Sequence, residues 1–309
     1  MSTADPSGTT SAIHDIGYRR HAGTRRGPRS IVRTLMLQSW GLAFGLGRST
    51  RSKVGPLLLL GAMCLPPAGM ALAIAVLGVD QAPVTASIYL LSGTSILVAI
   101  FLGIVAPSLF ARDLRERTIV LYLARPVGRT GYVRARLLGV LFALLVLLVA
   151  PVALLLLATL LSGLDVSDQL LDAARGIAVA MLLAGLLAPL AALVASLVTR
   201  RGLGVAAIIG SIVLLAGMQG IIESIAGDAG SDQLARWSVV ISPYSLARTI
   251  AFHLLHVQDL GSQVASVVGV GPEPSFETAF GLELLAVWAL LAVLLVAALH
   301  LRYRKVDVG

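Results

Sequence analysis

The sequence predicts an all-α polytopic membrane protein, and three observations carry that reading. The 309 residues are 57% hydrophobic with a mean hydropathy of +0.90. Only 13% are charged, about half the roughly 25% of a soluble domain. Six apolar stretches, 54–79, 84–110, 137–163, 173–198, 204–226 and 281–301, each supply the ~20 residues needed to cross about 30 Å of hydrocarbon.

Taken in order, residues 1–29 mix Ser, Thr, Gly, Pro, His and Arg without apolar periodicity. They read as a flexible cytoplasmic tail rather than a cleavable signal, which would carry an apolar core. Residues 30–309 read as a single transmembrane domain. Ile31, Leu35, Trp40 and Leu42 recur at helical spacing, predicting an amphipathic elbow helix in the membrane interface before the first span. Pro56, Pro66, Pro67, Pro107, Pro151 and Pro189 fall inside the spans, where neighbouring helices can cover the carbonyls they free. Ala184, Ala188, Ala192 and Ser196 recur every four residues in the fourth span, and Ala206 and Gly210 repeat the spacing in the fifth. Such faces suit close helix packing, within one bundle in preference to a dimer seam.

Basic residues in short loops stay on the cytoplasmic side. Of the 24 Lys and Arg, 21 lie in 1–53, 111–136, 200–201 and 302–305, while 11 of the 16 acids lie at the other ends of the spans. Six spans with both termini inside satisfy every loop. The net charge of +8 is then a topology signal and gives no support to nucleic-acid binding, which calls for a basic face on a soluble domain.

The stretch 227–280 falls on the extracytoplasmic side. Trp237 to Val257 is apolar enough to suggest a seventh span, but Pro243 and Arg248 would sit near its middle, and a mid-bilayer arginine costs roughly 2.5–3.5 kcal/mol. It reads instead as a re-entrant or amphipathic segment half-immersed in the outer leaflet, with Pro243, Tyr244 and Arg248 as outer-gate residues; a static plug and a docking platform are the competing readings. Glu223 and Glu283, near the outer ends of the fifth and sixth spans, are candidates for lining an exit path, with plain interfacial solvation an equal reading.

Several chemistries are excluded or weakened. The two lysines, Lys53 and Lys305, follow no glycine, so the chain has no phosphate-cradling G-x-x-x-x-G-K loop. A single cysteine, Cys64, rules out a disulfide framework and any multi-cysteine metal site. His253 and His256 stand three apart but lack a third ligand and read as part of an interfacial helix. No H-E-x-x-H or G-x-S-x-G motif occurs, which weakens a membrane-embedded enzyme. The expectation is a non-enzymatic chain with no cofactor and no metal.

The loop 111–136, ARDLRERTIVLYLARPVGRTGYVRAR, is the informative one. Thr118 to Leu123 form an apolar run framed by charges and stopped at Arg125-Pro126, predicting a short amphipathic helix parallel to the membrane. On the residues alone, its Ile119, Tyr122 and Leu123 face suits lipid headgroups and another protein equally. The run Glu116, Thr118, the apolar residues to Leu123, Arg125-Pro126-Val127, Arg129, Tyr132 and Arg136 resembles the signature loop of ABC-2 type transporter permeases, with Arg117 in place of the usual Gly and Arg136 in place of the usual Lys. Ile241 to Leu246 resembles that family's extracytoplasmic re-entrant region, in the branch that includes the permease serving nitrous oxide reductase maturation.

The resemblance implies a permease subunit of a prokaryotic plasma-membrane exporter, paired with a second permease copy. It implies that ATP is hydrolysed by a separate nucleotide-binding subunit, gripped through a coupling helix carrying Glu116, Thr118, Ile119, Leu123, Arg125 and Pro126. An extracytoplasmic accessory protein is a further candidate partner, beside the membrane lipids. The alternative is a scaffold or force-transmitting anchor that couples an ATPase to such a partner without transporting.

Overall fold

The computed structural model describes residues 27–47, 49–77, 84–116, 128–163, 165–198, 200, 202–257 and 276–305. All the described regular structure is helical. Helix α1 is Pro28–Ala43 and α2 is Thr50–Leu77; α3, Ala86–Ser92, and α4, Ser95–Ala106, follow. A π turn, Pro107–Ala111, and a last turn, Arg112–Arg115, continue α4. Then come α5, Arg129–Leu161; α6, Val166–Leu197; α7, Leu203–Asp228; the short α8, Asp232–Ser238; α9, Pro243–Leu255; and α10, Thr278–Arg304. Six helices, α2, α4 with its continuation, α5, α6, α7 and α10, are long and apolar enough to cross a membrane. For reference, the basic end of the bundle carries Arg112, Arg136 and Arg304, and the acidic end carries Asp165, Glu223 and Glu283.

The local reasons are readable. Helix α6 starts where Asp165 accepts a hydrogen bond from the Ser167 backbone N–H at 2.9 Å, satisfying one of the free donors of a helix start. The second predicted span is not continuous. It breaks at Gly93–Thr94, inside the run Ser92-Gly93-Thr94-Ser95, four residues that favour turns and caps over helix interiors. Beyond the break, the Asp172 carboxylate from α6 accepts from the Ala86 backbone N–H at 2.7 Å and the Ser87 hydroxyl at 3.0 Å, so a neighbouring helix caps α3. The third and fourth spans begin earlier than predicted, at Arg129 and Val166, because helical turns extend beyond the apolar run at their N-terminal ends. This takes Tyr132 and Arg136 out of the predicted loop and into α5.

Helices α5 and α6 form the centre, with α1 and α2 packed on α5, and α3, α9 and α10 on α6. Close approach needs glycine at two places. A Cβ on Gly139 of α5 would run into Ser39 of α1, and one on Gly185 of α6 would run into the Trp288 ring of α10. The Trp288 indole N–H donates to the Leu182 carbonyl at 2.9 Å across the same seam. Ala184, Ala188, Ala192 and Ser196 are all buried in this core, so the α6 small-residue face serves packing within the chain. Ala206 and Gly210 of α7 are exposed. The outer spans are thinly covered: only 11% of the most apolar window of α7, and of α10, is buried, leaving faces for lipid or a second copy.

Candidate functional site

At the basic end the π turn sets the geometry. Such a turn holds one residue more than an α turn and often marks a functional site. Here the Arg112 backbone N–H donates to the Pro107 carbonyl five residues back. The residues beyond it then divide cleanly: Arg112, Arg115 and Glu116 are exposed while Asp113 is buried. The Asp113 carboxylate accepts from the Tyr132 hydroxyl and from the Arg136 guanidinium, both at 2.5 Å. Arg136 also donates to the Ser39 hydroxyl of α1 at 3.2 Å, and its guanidinium lies 5.5 Å from the centre of the Tyr132 ring.

Tyr303 of α10 closes the cluster, its ring 6.0 Å from that of Tyr132 and 6.4 Å from that of Phe110. Beside it, Arg129 donates to the Arg304 carbonyl at 2.8 Å, a cation at a helix C-terminus where the backbone dipole favours it. Four helical elements, α1, the end of α4, the start of α5 and the end of α10, are thus fastened at one point. That point flanks segment 117–127 on both sides.

Of the coupling residues expected from the sequence, Thr118, Ile119, Leu123, Arg125 and Pro126 lie outside the described residues. Glu116 is exposed and forms ion pairs with Arg112 at 3.1 Å and Arg115 at 3.6 Å. The hydrogen bond from Arg112 holds its carboxyl below the ordinary carboxylate value. The sequence reading missed Asp113, Ser39 and Tyr303 as members of a site. An acid at the third position of a basic loop was the available signal for Asp113; nothing local marks Ser39 or Tyr303.

At the acidic end, α9 begins as its sequence suggests, with Pro243 in the first turn and Ser242 as the cap. Thirteen residues at 1.5 Å each span about 20 Å, too short to cross, which agrees with the rejection of a seventh span. The helix is not simply laid on lipid. Tyr244, Leu246, Ala247, Ile250 and Ala251 are buried against α6, α7 and α10, while Arg248 is exposed. One face of the re-entrant or amphipathic segment expected from the sequence is thus packed on protein. The Tyr244 hydroxyl lies beside Thr94, at the break between α3 and α4, without closing a hydrogen bond of ordinary geometry. Burial pushes its ionisation far above the usual phenol value.

The Ser245 hydroxyl of α9 donates to Gln219 of α7 at 3.0 Å, and the Gln219 amide donates to Glu223 at 2.5 Å, so Glu223 joins the cap through a side-chain relay. Glu283 is exposed on α10 and shares no contact with that relay. Arg236 of α8 pairs with Glu277 at 2.6 Å and lies 4.3 Å from the centre of the Phe280 ring. The Nδ1 of His253 accepts from the Glu277 backbone N–H at 3.0 Å, and His256 sits 4.6 Å from Phe276. Among the described residues no group of three or more His, Cys, Asp or Glu gathers as a metal site would require.

This six-span layout can now be set beside known proteins. A family model described as "ABC-2 family transporter protein" matches residues 49–217, a little over half the chain. The chain belongs to the ABC-2 transporter family. No curated protein matches it. The match runs from the start of α2 to the middle of α7 and so contains the π turn, Asp113, Tyr132 and Arg136, whereas Ser39, Tyr303 and the α8–α9 cap lie beyond it. The ABC-2 protein is therefore a multi-pass membrane transport protein, a permease component.

Proposed function

We propose that this permease is moved by a separate ATP-hydrolysing subunit seated on segment 117–127, and that the buried Asp113–Tyr132–Arg136 cluster delivers the motion into the bundle. The cluster carries the reading. It brackets the segment in sequence and ties α1, α4, α5 and α10 together in space. A buried, hydrogen-bonded ion pair resists separation, because pulling it apart exposes an uncompensated charge to a low-dielectric interior. A push on either flank of 117–127 therefore moves the helix ends as a body.

In this reading the basic end faces the cytoplasm of a prokaryotic cell, as loop charge favours. The chain holds no ATP of its own, since its two lysines offer no phosphate-binding loop. Two copies meet through the thinly covered outer spans, and the α9 cap is the outer gate. Substrate leaves past that gate, beside Glu223. A second reading, a force-transmitting anchor for an extracytoplasmic partner, draws on Leu234 and Trp237, exposed together on α8 at the acidic end.

Affinity purification of the tagged chain from its native membrane tests the proposal. The wild-type preparation should carry vanadate-sensitive ATP hydrolysis, and Leu123→Asp, which places a charge in the apolar run, should lose it at unchanged permease yield. Equal hydrolysis in both preparations would displace the contact from this segment.

A further inference from the structure

The geometry points to a specific site for one anionic phospholipid in the angle between α1 and α5. A groove of about 680 Å³ opens there, walled by Leu37 and Trp40 of α1 and by Phe142, Val146, Val149 and Ala153 of α5, with no polar side chain other than the Trp40 indole. Its size falls within the roughly 300–1,000 Å³ of pockets that hold small organic ligands. From Phe142 to Ala153 the groove follows α5 for about 17 Å at 1.5 Å per residue. That is an elongated slot suited to a hydrocarbon chain rather than a compact ligand.

The charge at its mouth chooses the occupant. Helix α1 runs inward: Ser39 reaches Arg136 at the basic end, whereas Phe44 packs on Phe101, 5.8 Å between ring centres, three helical turns along α4 from Asp113. Arg33 therefore lies toward the basic end from Trp40, and its spacing of four from Leu37 and seven from Trp40 keeps it on the groove face. On the other wall Arg134, Leu138, Phe142 and Val146 recur every four residues along α5 and are all exposed, so Arg134 heads the stripe that runs into the groove. Both arginines are exposed, and among the described residues neither forms an ion pair.

Two guanidinium groups thus stand on the walls of an apolar slot, on the side where it meets the headgroup level. A phosphodiester accepts forked donors from arginine well. The indole of Trp40 lines the groove, and its N–H is placed to reach a lipid ester oxygen, as tryptophans at membrane interfaces do. An anionic lipid fills every part of this arrangement; a zwitterionic one adds a positive charge beside two arginines. Because α1 also holds Ser39 against Arg136, lipid in the groove presses on the helix that braces the buried cluster.

Brominated lipids, which quench tryptophan on contact, give the test. The full chain with Trp237→Phe and Trp288→Phe keeps Trp40 as its sole tryptophan. It is reconstituted in vesicles of fixed phosphatidylcholine and phosphatidylglycerol content, with bromine on the chains of one lipid or the other. Brominated phosphatidylglycerol should quench Trp40 more strongly at equal mole fraction. Arg33→Gln and Arg134→Gln should each weaken that preference about fivefold, and Ala153→Phe, which fills the slot, should reduce quenching by both lipids. Every variant is first shown to elute and insert as the parent does. Equal quenching by the two lipids would reduce the groove to ordinary annular contact and overturn the proposal. So would a preference that survives removal of both arginines, or weak quenching by either lipid, which would mean that protein covers the groove.

Discussion

Both ends of this bundle are fastened by an arginine paired with an acid, and the two fastenings differ in kind. At the basic end the side chains of Arg136 and Asp113 are 3% and 11% exposed; at the acidic end those of Arg236 and Glu277 are 46% and 51% exposed. Their distances are nearly the same, 2.5 and 2.6 Å. Distance therefore says little about strength here. The buried pair has lost its water and is completed by Tyr132 and Ser39, so removing one partner strands a charge. The exposed pair exchanges freely with water and is screened by salt. One end resists separation, and the other loosens and re-forms at little cost.

The largest expected effect lies at the buried pair. Asp113→Asn removes the carboxylate paired with Arg136 and should destabilise the protein by about 3–5 kcal/mol, read as unfolding in detergent; a cost below about 1 kcal/mol would remove the distinction between the ends. An intermediate effect is expected in between, at the α6–α10 seam. Gly185→Leu drives a side chain into the Trp288 ring and should cost about 1–3 kcal/mol as overpacking, with the same readout.

The smaller effects belong to the acidic end. Arg236→Gln should change stability by no more than about 1 kcal/mol, and added salt should mimic it. His253 supplies a pH test. Burial disfavours its charged form and holds its ionisation below the ordinary 6.5, so the released state binds the proton before the packed one. The α9–α10 contact is then fully stabilised above 6.5 and loses stability as pH falls below that value toward the native one. A cysteine at Leu254, with Cys64→Ala, should label faster as pH is lowered through this range, and His253→Gln should flatten the dependence.

The spans were legible because length and hydropathy alone decide them, and α9 was legible because Ser242-Pro243 writes a helix start into the chain. Other features depended on contacts between distant residues. The break in the second span was written in Ser92-Gly93-Thr94-Ser95, yet its placement also rests on Asp172 capping α3 from 86 residues away. The basic cluster was harder still. Tyr132 and Arg136 stood out through family resemblance, but Asp113 turns inward just past a π turn that no local pattern announces, and Ser39 joins Arg136 across 97 residues. Hydropathy treats Asp113, Arg115 and Glu116 alike; only the helix phase separates the buried acid from its exposed neighbours.

A pair of double-mutant cycles, one on Asp113→Asn with Arg136→Gln and one on Arg236→Gln with Glu277→Gln, measures the difference between the two ends directly. The basic-end cycle should give a coupling energy of about 2–3 kcal/mol, toward the top of the range for contacting residues, and the acidic-end cycle less than about 1 kcal/mol. Equal coupling at the two ends would contradict the account of a rigid basic end driving a yielding acidic one.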